Sequence, residues 1–134
     1  FLFTKLSWNP TRPFQYTRRH MPNEPMTFTQ RPGSRDGIEI LSLSGPFTLG
    51  NMFQLQRALQ ELKPSYLIFD IAQVPYMDSA GLGLLVNFYV AAQKSGRRMA
   101  VVGASQRITA LLEMTKVDSL LKLYPTVEAA EAAS

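Results

Sequence analysis

At 134 residues the chain has the length of one domain, with room for a proper core. It has no cysteine and a single histidine, His20, which excludes a disulfide framework, a thiolate nucleophile and a cysteine-ligated zinc, and argues against any metal centre. The net charge of +4 is concentrated in residues 1–25, where Lys5, Arg12, Arg18 and Arg19 face only Glu24, and the nearly balanced remainder lacks the basic stripe of a nucleic-acid binder.

No apolar run approaches the roughly 18 residues of a membrane span. Phe1-Leu2-Phe3 gives way to Lys5, Trp8 and prolines rather than to the apolar core of a signal peptide. The expected location is the cytoplasm. Residues 1–25 carry Pro10, Pro13, Pro22 and Pro25 without a regular apolar period, and read as an irregular leader before a folded unit of residues 26–134. The chain begins at Phe1, and Met21 and Met26 lie just before the first expected strand. The leader is therefore either sequence translated from upstream of the true start, or a flexible tether or extra strand. A native N-terminus at Met21 or Met26, read by mass spectrometry, would support the first; peptides from Leu2 to Arg18 would exclude it.

Met26 to Arg31 alternates weakly and reads as a first strand. Pro32 to Gly37 has proline and glycine placed as in a turn. Ile38 to Ser44 alternates apolar and polar residues and reads as a strand paired back on the first, ended by Gly45-Pro46. From Asn51 to Leu62 the period becomes helical. Met52, Leu55, Leu59 and Leu62 share one face, Gly50 or Asn51 can cap the start, and Lys63-Pro64 stops the end. Tyr66 to Asp70 is a short apolar run read as a buried strand, parallel to the previous one because a helix joins them.

After a loop from Ile71 to Asp78 comes a helix from Ala80 to about Ser95. Asp78 and Ser79 are both good N-caps, and one of them should start it. A serine hydroxyl there is exposed and lies beside amide groups without helical partners, which makes Ser79 a plausible phosphate acceptor. On a helical wheel Leu82, Leu85, Val86, Tyr89 and Ala92 form the core face, with Gly83, Asn87 and Lys94 opposite. Leu84, Phe88 and Ala91 widen the apolar arc beyond one buried face: either a second element covers that flank or it is a partner-binding edge. Gly96 ends the helix.

Met99 to Val102 follows as a strand buried on both sides. Ser105 caps a helix from Gln106 to Met114, with Ile108, Leu111, Leu112 and Met114 inward. Leu120 to Tyr124 is a last short strand, and Thr126 caps a closing helix to Ala133. This alternation implies an α/β fold: a mixed, mostly parallel sheet of about four to five strands with helices packed against it.

The stretch Asp78-Ser79-Ala80-Gly81-Leu82-Gly83, after a hydrophobic strand and before an apolar helix, resembles the STAS domain of anti-sigma factor antagonists, over about Thr27 to Ala130. The resemblance implies a single STAS-like domain and a non-enzymatic regulator. It would bind an anti-sigma factor that is also a serine kinase, lose that partner when Ser79 is phosphorylated, and recover it through a phosphatase. The nucleotide belongs to the partner, and no cofactor is expected. The implied contact surface is Asp78, Ser79, Ala80, Gly81, Leu82, Gly83, Leu84, Asn87, Phe88 and Thr48, on a monomer or weak dimer. Thr48 is a departure. Family members often carry an aspartate there in a Gly-x-Leu-Asp pattern, whereas Gly45-Pro46-Phe47-Thr48 brings a hydroxyl and no charge.

Other chemistries fare worse on the residues themselves. The bare alternative for Ser79 is a simple N-cap. Nucleophilic catalysis would need a base, and Gly-x-Ser-x-Gly is absent because Met77 stands two positions before Ser79. Asp78 has no second acid, histidine or lysine near it in sequence, so it caps the helix, orients the seryl hydroxyl or helps a kinase recognise the site. No Gly-Lys-Ser/Thr follows the glycines, and Val86 stands where a dinucleotide fingerprint needs its third glycine. Gly81 and Gly83 each cost about 1 kcal/mol against alanine inside a helix, so they either pack backbone on backbone or keep the surface flat for a partner. Two other roles suit the same surface: an accessory subunit of a membrane lipid-transport complex docking on its ATPase, and a scaffold component of a stress-sensing particle.

Overall fold

A computed structural model describes residues 25–133; the leader, Pro25 apart, lies outside the described residues. The strands are β1 (Thr27–Pro32), β2 (Ile38–Ser44), β3 (Tyr66–Gln73), β4 (Arg98–Val102) and β5 (Lys122–Tyr124). The helices are α1 (Met52–Glu61), α2 (Ser79–Lys94), α3 (Gln106–Met114) and α4 (Val127–Ala132). The strands form one sheet in sequence order, β1-β2-β3-β4-β5. β1 pairs antiparallel with β2 across the turn, with Thr27 opposite Ser44, and every later pair is parallel. Each parallel step is joined by a helix, as parallel pairing requires.

The period-two geometry of the central strands divides the core in two. Leu41, Leu43, Leu67, Phe69, Ile71, Met99 and Val101 point to one face, where they meet Leu55 and Leu59 of α1, Leu84 and Leu85 of α2, and Ile108 and Leu112 of α3. Ile38, Ile40, Tyr66, Ile68, Ala100 and Val102 point to the other, where among the described residues α4 supplies Val127 and Ala130. Three helices on one face and one on the other explain why β3 and β4 are apolar at nearly every position. Phe69 is completely buried and receives the edge of Phe88 from α2, ring centroids 5.7 Å apart at 86°.

The expected elements form with local corrections. β3 runs three residues further, to Gln73, because a bulge lets Ser44 pair with Gln73 while Ser42 pairs with Asp70. β5 is shorter, beginning at Lys122. Ser105 and Thr126 cap α3 and α4 as expected, accepting from the amides of Ile108 and Ala129. Asn51 stands at the N-cap of α1, but its side-chain amide turns back to donate to the Pro46 carbonyl at 2.9 Å. Met114, expected inward, is 81 % exposed: it is the last residue of α3, beyond the turn that carries Leu112 into the core.

The core stripe of α2 is also turned from expectation. Its buried residues are Gly81, Leu84, Leu85 and Ala92, with Phe88 half-buried, so the inner face keeps Leu85 and Ala92 of the expected stripe and adds Leu84 from the flank, while Ala91 is exposed. α1 packs on the same face of the sheet beside Leu84, so a second element covers part of that flank and leaves Ala91 exposed. Val86, expected inward, is half-buried.

Candidate partner-binding site

The site is built where β2 and β3 end. Past the bulge the two loops continue side by side: Gly45 donates to the Gln73 carbonyl, Phe47 to Tyr76, and the Asp78 amide back to Phe47 at 3.2 Å. Phe47 and Met77 form a parallel bridge. This brings Phe47-Thr48-Leu49 against Met77-Asp78-Ser79 although some 30 residues separate them. Phe47 is completely buried and anchors the pair.

Asp78 is the N-cap of α2. One carboxylate oxygen accepts from the Gly81 amide at 2.9 Å, and the other accepts from the Leu49 amide at 3.0 Å. Both oxygens are thus committed to backbone, so the carboxylate fixes the helix start and clamps the neighbouring loop to it. With the cap supplied by Asp78, Ser79 occupies the first helical position. It is exposed, and its hydroxyl has no hydrogen-bond partner among the described residues. The backbone amides of Ser79 and Ala80 are likewise unpartnered among the described residues, as at the open end of any helix.

The two glycines have different reasons. A Cβ on Gly81 would lie well inside contact distance of the Phe47 carbonyl oxygen and 3.1 Å from its carbon, so only glycine lets the helix approach that backbone. A Cβ on Gly83 would meet nothing within 4 Å, so Gly83 flattens an open surface. Of the remaining residues expected at the contact surface, Asn87 is exposed, and Ala80, Leu82 and Phe88 are half-buried. Gly81 and Leu84 are not surface residues. Gly81 is buried against Phe47 and Leu84 is 7 % exposed beneath α1, because both lie on the stripe that seats the helix.

Thr48 is half-buried, and its hydroxyl oxygen is buried without a hydrogen-bond partner among the described residues. The hydroxyl is therefore turned away from the surface, although Thr48 is among the residues expected at the contact surface. Sequence reasoning missed Leu49 and Phe53, which are 56 % and 59 % exposed. Leu49 is held by Asp78, and Phe53 lies in the first turn of α1. The signal was present: neither belongs to the stripe Met52, Leu55, Leu59 and Leu62, so neither had a place in the core. Farther along α2, Asn87 and Phe88 line a groove of about 310 Å³ against α1, together with Leu59, Leu84, Lys63 and Arg97.

A five-stranded sheet in this order, with an acid-capped helix presenting a free serine beside the loop after β2, defines the class. The family model for the STAS domain matches residues 33–130, and the chain belongs to that family. Its relatives include the anti-sigma F factor antagonist of Paenibacillus polymyxa, 26 % identical over 92 residues that make up 66 % of this chain and 79 % of that protein. The anti-sigma-B factor antagonist of Staphylococcus epidermidis is 36 % identical over 59 residues, 44 % of this chain and 55 % of the relative. Among solved structures, an anti-sigma factor antagonist from Mycobacterium paratuberculosis superposes with a TM-score of 0.71 at 25 % identity, covering 84 % of this chain and 95 % of that one. The chain is thus an antagonist-like STAS protein. Among the described residues no helix is long and apolar enough to cross a membrane, and no cluster of His, Cys, Asp and Glu could hold a metal ion.

Proposed function

We propose that this protein is a cytoplasmic anti-sigma factor antagonist whose binding is switched at Ser79. Unphosphorylated, it docks on an anti-sigma factor through the start of α2 and the adjoining loop after β2, and so releases a sigma factor. The partner's kinase activity phosphorylates Ser79 and ends the complex, and a phosphatase restores it. The observation that carries this reading is that Asp78, not Ser79, caps the helix, which leaves the seryl oxygen exposed and uncommitted.

The electrostatics fit a switch of binding rather than of folding. A phosphoserine carries a charge of about −1.5 to −2. At the first position of α2 that charge faces unpartnered amides and the positive end of the helix dipole, which tolerate it. A partner surface fitted to a small neutral hydroxyl would instead meet bulk and like charge. Leu49, held against Asp78, supplies exposed apolar area beside the serine for docking.

The test is incubation with a cognate anti-sigma kinase and ATP, followed by mass spectrometry and co-precipitation. The expected result is one phosphate on Ser79 and loss of the complex. Ser79→Ala should bind constitutively and Ser79→Asp at least about tenfold more weakly, a difference of about 1.4 kcal/mol. An unmodified protein that co-purifies with a transporter ATPase would replace this reading with the accessory-subunit role.

A further inference from the structure

The opposite end of α2 carries a second concave feature that the switch does not use. Between the last turn of α2 and the start of β4, with β5 alongside, lies a shallow cavity of about 110 Å³. Its polar lining is Tyr66, Tyr89, Gln93, Arg97, Arg98 and Lys122, and it includes no carboxylate among the described residues. We propose that this cavity is an anion site that takes the phosphoryl group of a small molecule or lipid headgroup, held by Arg97, Arg98 and Lys122 with the Tyr89 hydroxyl as a neutral donor.

Apart from the Gln93 side-chain oxygen and the Tyr89 hydroxyl oxygen, the polar side-chain groups here are donors. Arg98 is positioned rather than free: its guanidinium stacks on the Tyr66 ring at 4.4 Å from the centroid and donates to the Ala133 carbonyl at 3.4 Å. Those contacts leave most of its five donors available. The Tyr89 oxygen accepts from the Gln93 amide at 2.7 Å, so the Tyr89 proton has no acceptor among the described residues. Arg97 and Lys122 have neither ion pair nor hydrogen-bonded side-chain partner among the described residues.

The simpler role for these cations is to neutralise the C-terminus of α2. That role is already filled. Lys94 stands in the last turn, and the carbonyls of Ala91, Ala92 and Gln93 accept from the amides of Ser95, Gly96 and Arg97. Three cations around one concavity, with no acid among the described residues that line it, raise the local positive potential that an anion would relieve, although Arg98 also borders a neighbouring cavity with Asp36. Donors arriving from a helix, a strand end and the edge strand suit a tetrahedral oxyanion better than a planar carboxylate. The site is separated from Ser79 by a 16-residue helix, about 24 Å of rise, so it stands independently of the switch.

The experiment titrates the full chain with inorganic phosphate, followed by amide and arginine side-chain NMR, and sediments it with phosphatidylcholine vesicles containing phosphatidic acid. Saturable shifts confined to Tyr89, Gln93, Arg97, Arg98 and Lys122 are expected. The double variant Arg97→Ala/Lys122→Ala, which removes only side chains without described polar partners, should keep the melting temperature and lose about tenfold or more in affinity. Tyr89→Phe should weaken binding without touching the charge. Binding of inorganic phosphate alone assigns a soluble source. Vesicle binding that the double variant abolishes assigns a lipid headgroup. Shifts spread over all surface lysines, a double variant that titrates like the parent, or no response to either probe would overturn the proposal.

Discussion

At Gly81 and Gly83 the same residue type answers two different demands, and alanine separates them. Gly81→Ala drives a methyl into the Phe47 backbone. Backbone cannot rotate away as a side chain can, so the variant should lose about 1–3 kcal/mol despite its better helix propensity. Gly83→Ala enters open space and should be neutral or stabilising by up to about 1 kcal/mol. Denaturant melts of the two variants check both signs. Asp78→Ala removes the cap of α2 and the acceptor of the Leu49 amide together. A cost of about 1–2 kcal/mol is expected, with faster amide exchange at Leu49 and Gly81. If Asp78→Ala leaves both exchange rates unchanged, the clamp between the loops is not the role of this carboxylate.

Between elements, the least covered joint is α4, which alone among the described helices packs on the second face of the sheet. Glu131 ties it to the β1–β2 turn by accepting from the Ser34 amide at 2.6 Å, and Arg35 donates to the Glu131 carbonyl. Hydrogen bonding from Ser34, backbone first and then side chain, and after it the charges of Arg31 and Arg35, hold the Glu131 carboxyl below its ordinary range. A carboxyl whose folded value is depressed contributes stability above its unfolded pKa and loses it as pH falls through the folded one. The attachment of α4 should therefore weaken on acidification below the ordinary glutamate range, and Glu131→Gln should remove that part of the pH dependence. Thermal melts of parent and variant between about pH 3 and pH 7 check it; parallel curves would refute the assignment. The site is exposed, so the effect is small and screened by salt.

For the molecule as a whole, the separation of switch from core has a measurable consequence. The Ser79 side chain contributes no hydrogen bond to the fold among the described residues, and the stripe that seats α2 is Gly81, Leu84, Leu85 and Ala92. Phosphorylated protein should therefore keep its circular dichroism spectrum and melt within a few degrees of the parent, a difference of about 1 kcal/mol or less, while losing its partner. Loss of tertiary structure on phosphorylation would make the residue a folding element instead. The exposed Leu49 belongs to this scale too, since it leaves the free protein with apolar area beside the serine.

Much of this architecture was open to reading from the chain. Ile38–Ser44, the stop at Lys63-Pro64 and the caps Ser105 and Thr126 act through contacts a few residues long, and each formed where expected. The serine within Asp78-Ser79-Ala80-Gly81-Leu82-Gly83 stood out for the same reason, because helix starts are local chemistry. Which of Asp78 and Ser79 caps α2 was not local: the second Asp78 oxygen is claimed by an amide 29 residues earlier. The rotation of α2 was hidden as well. With Leu82, Leu84, Leu85, Val86, Phe88 and Tyr89 all apolar, the hydrophobic arc is too wide to mark its own centre. The contact of Gly81 with Phe47 and the cover from α1 choose the inward face. Sequence alone determined the order of elements and the serine at the helix mouth, because periodicity and capping are short-range. Only the tertiary structure decided which side chains reach the surface there, because parallel pairing of β2 with β3 sets two distant loops against each other.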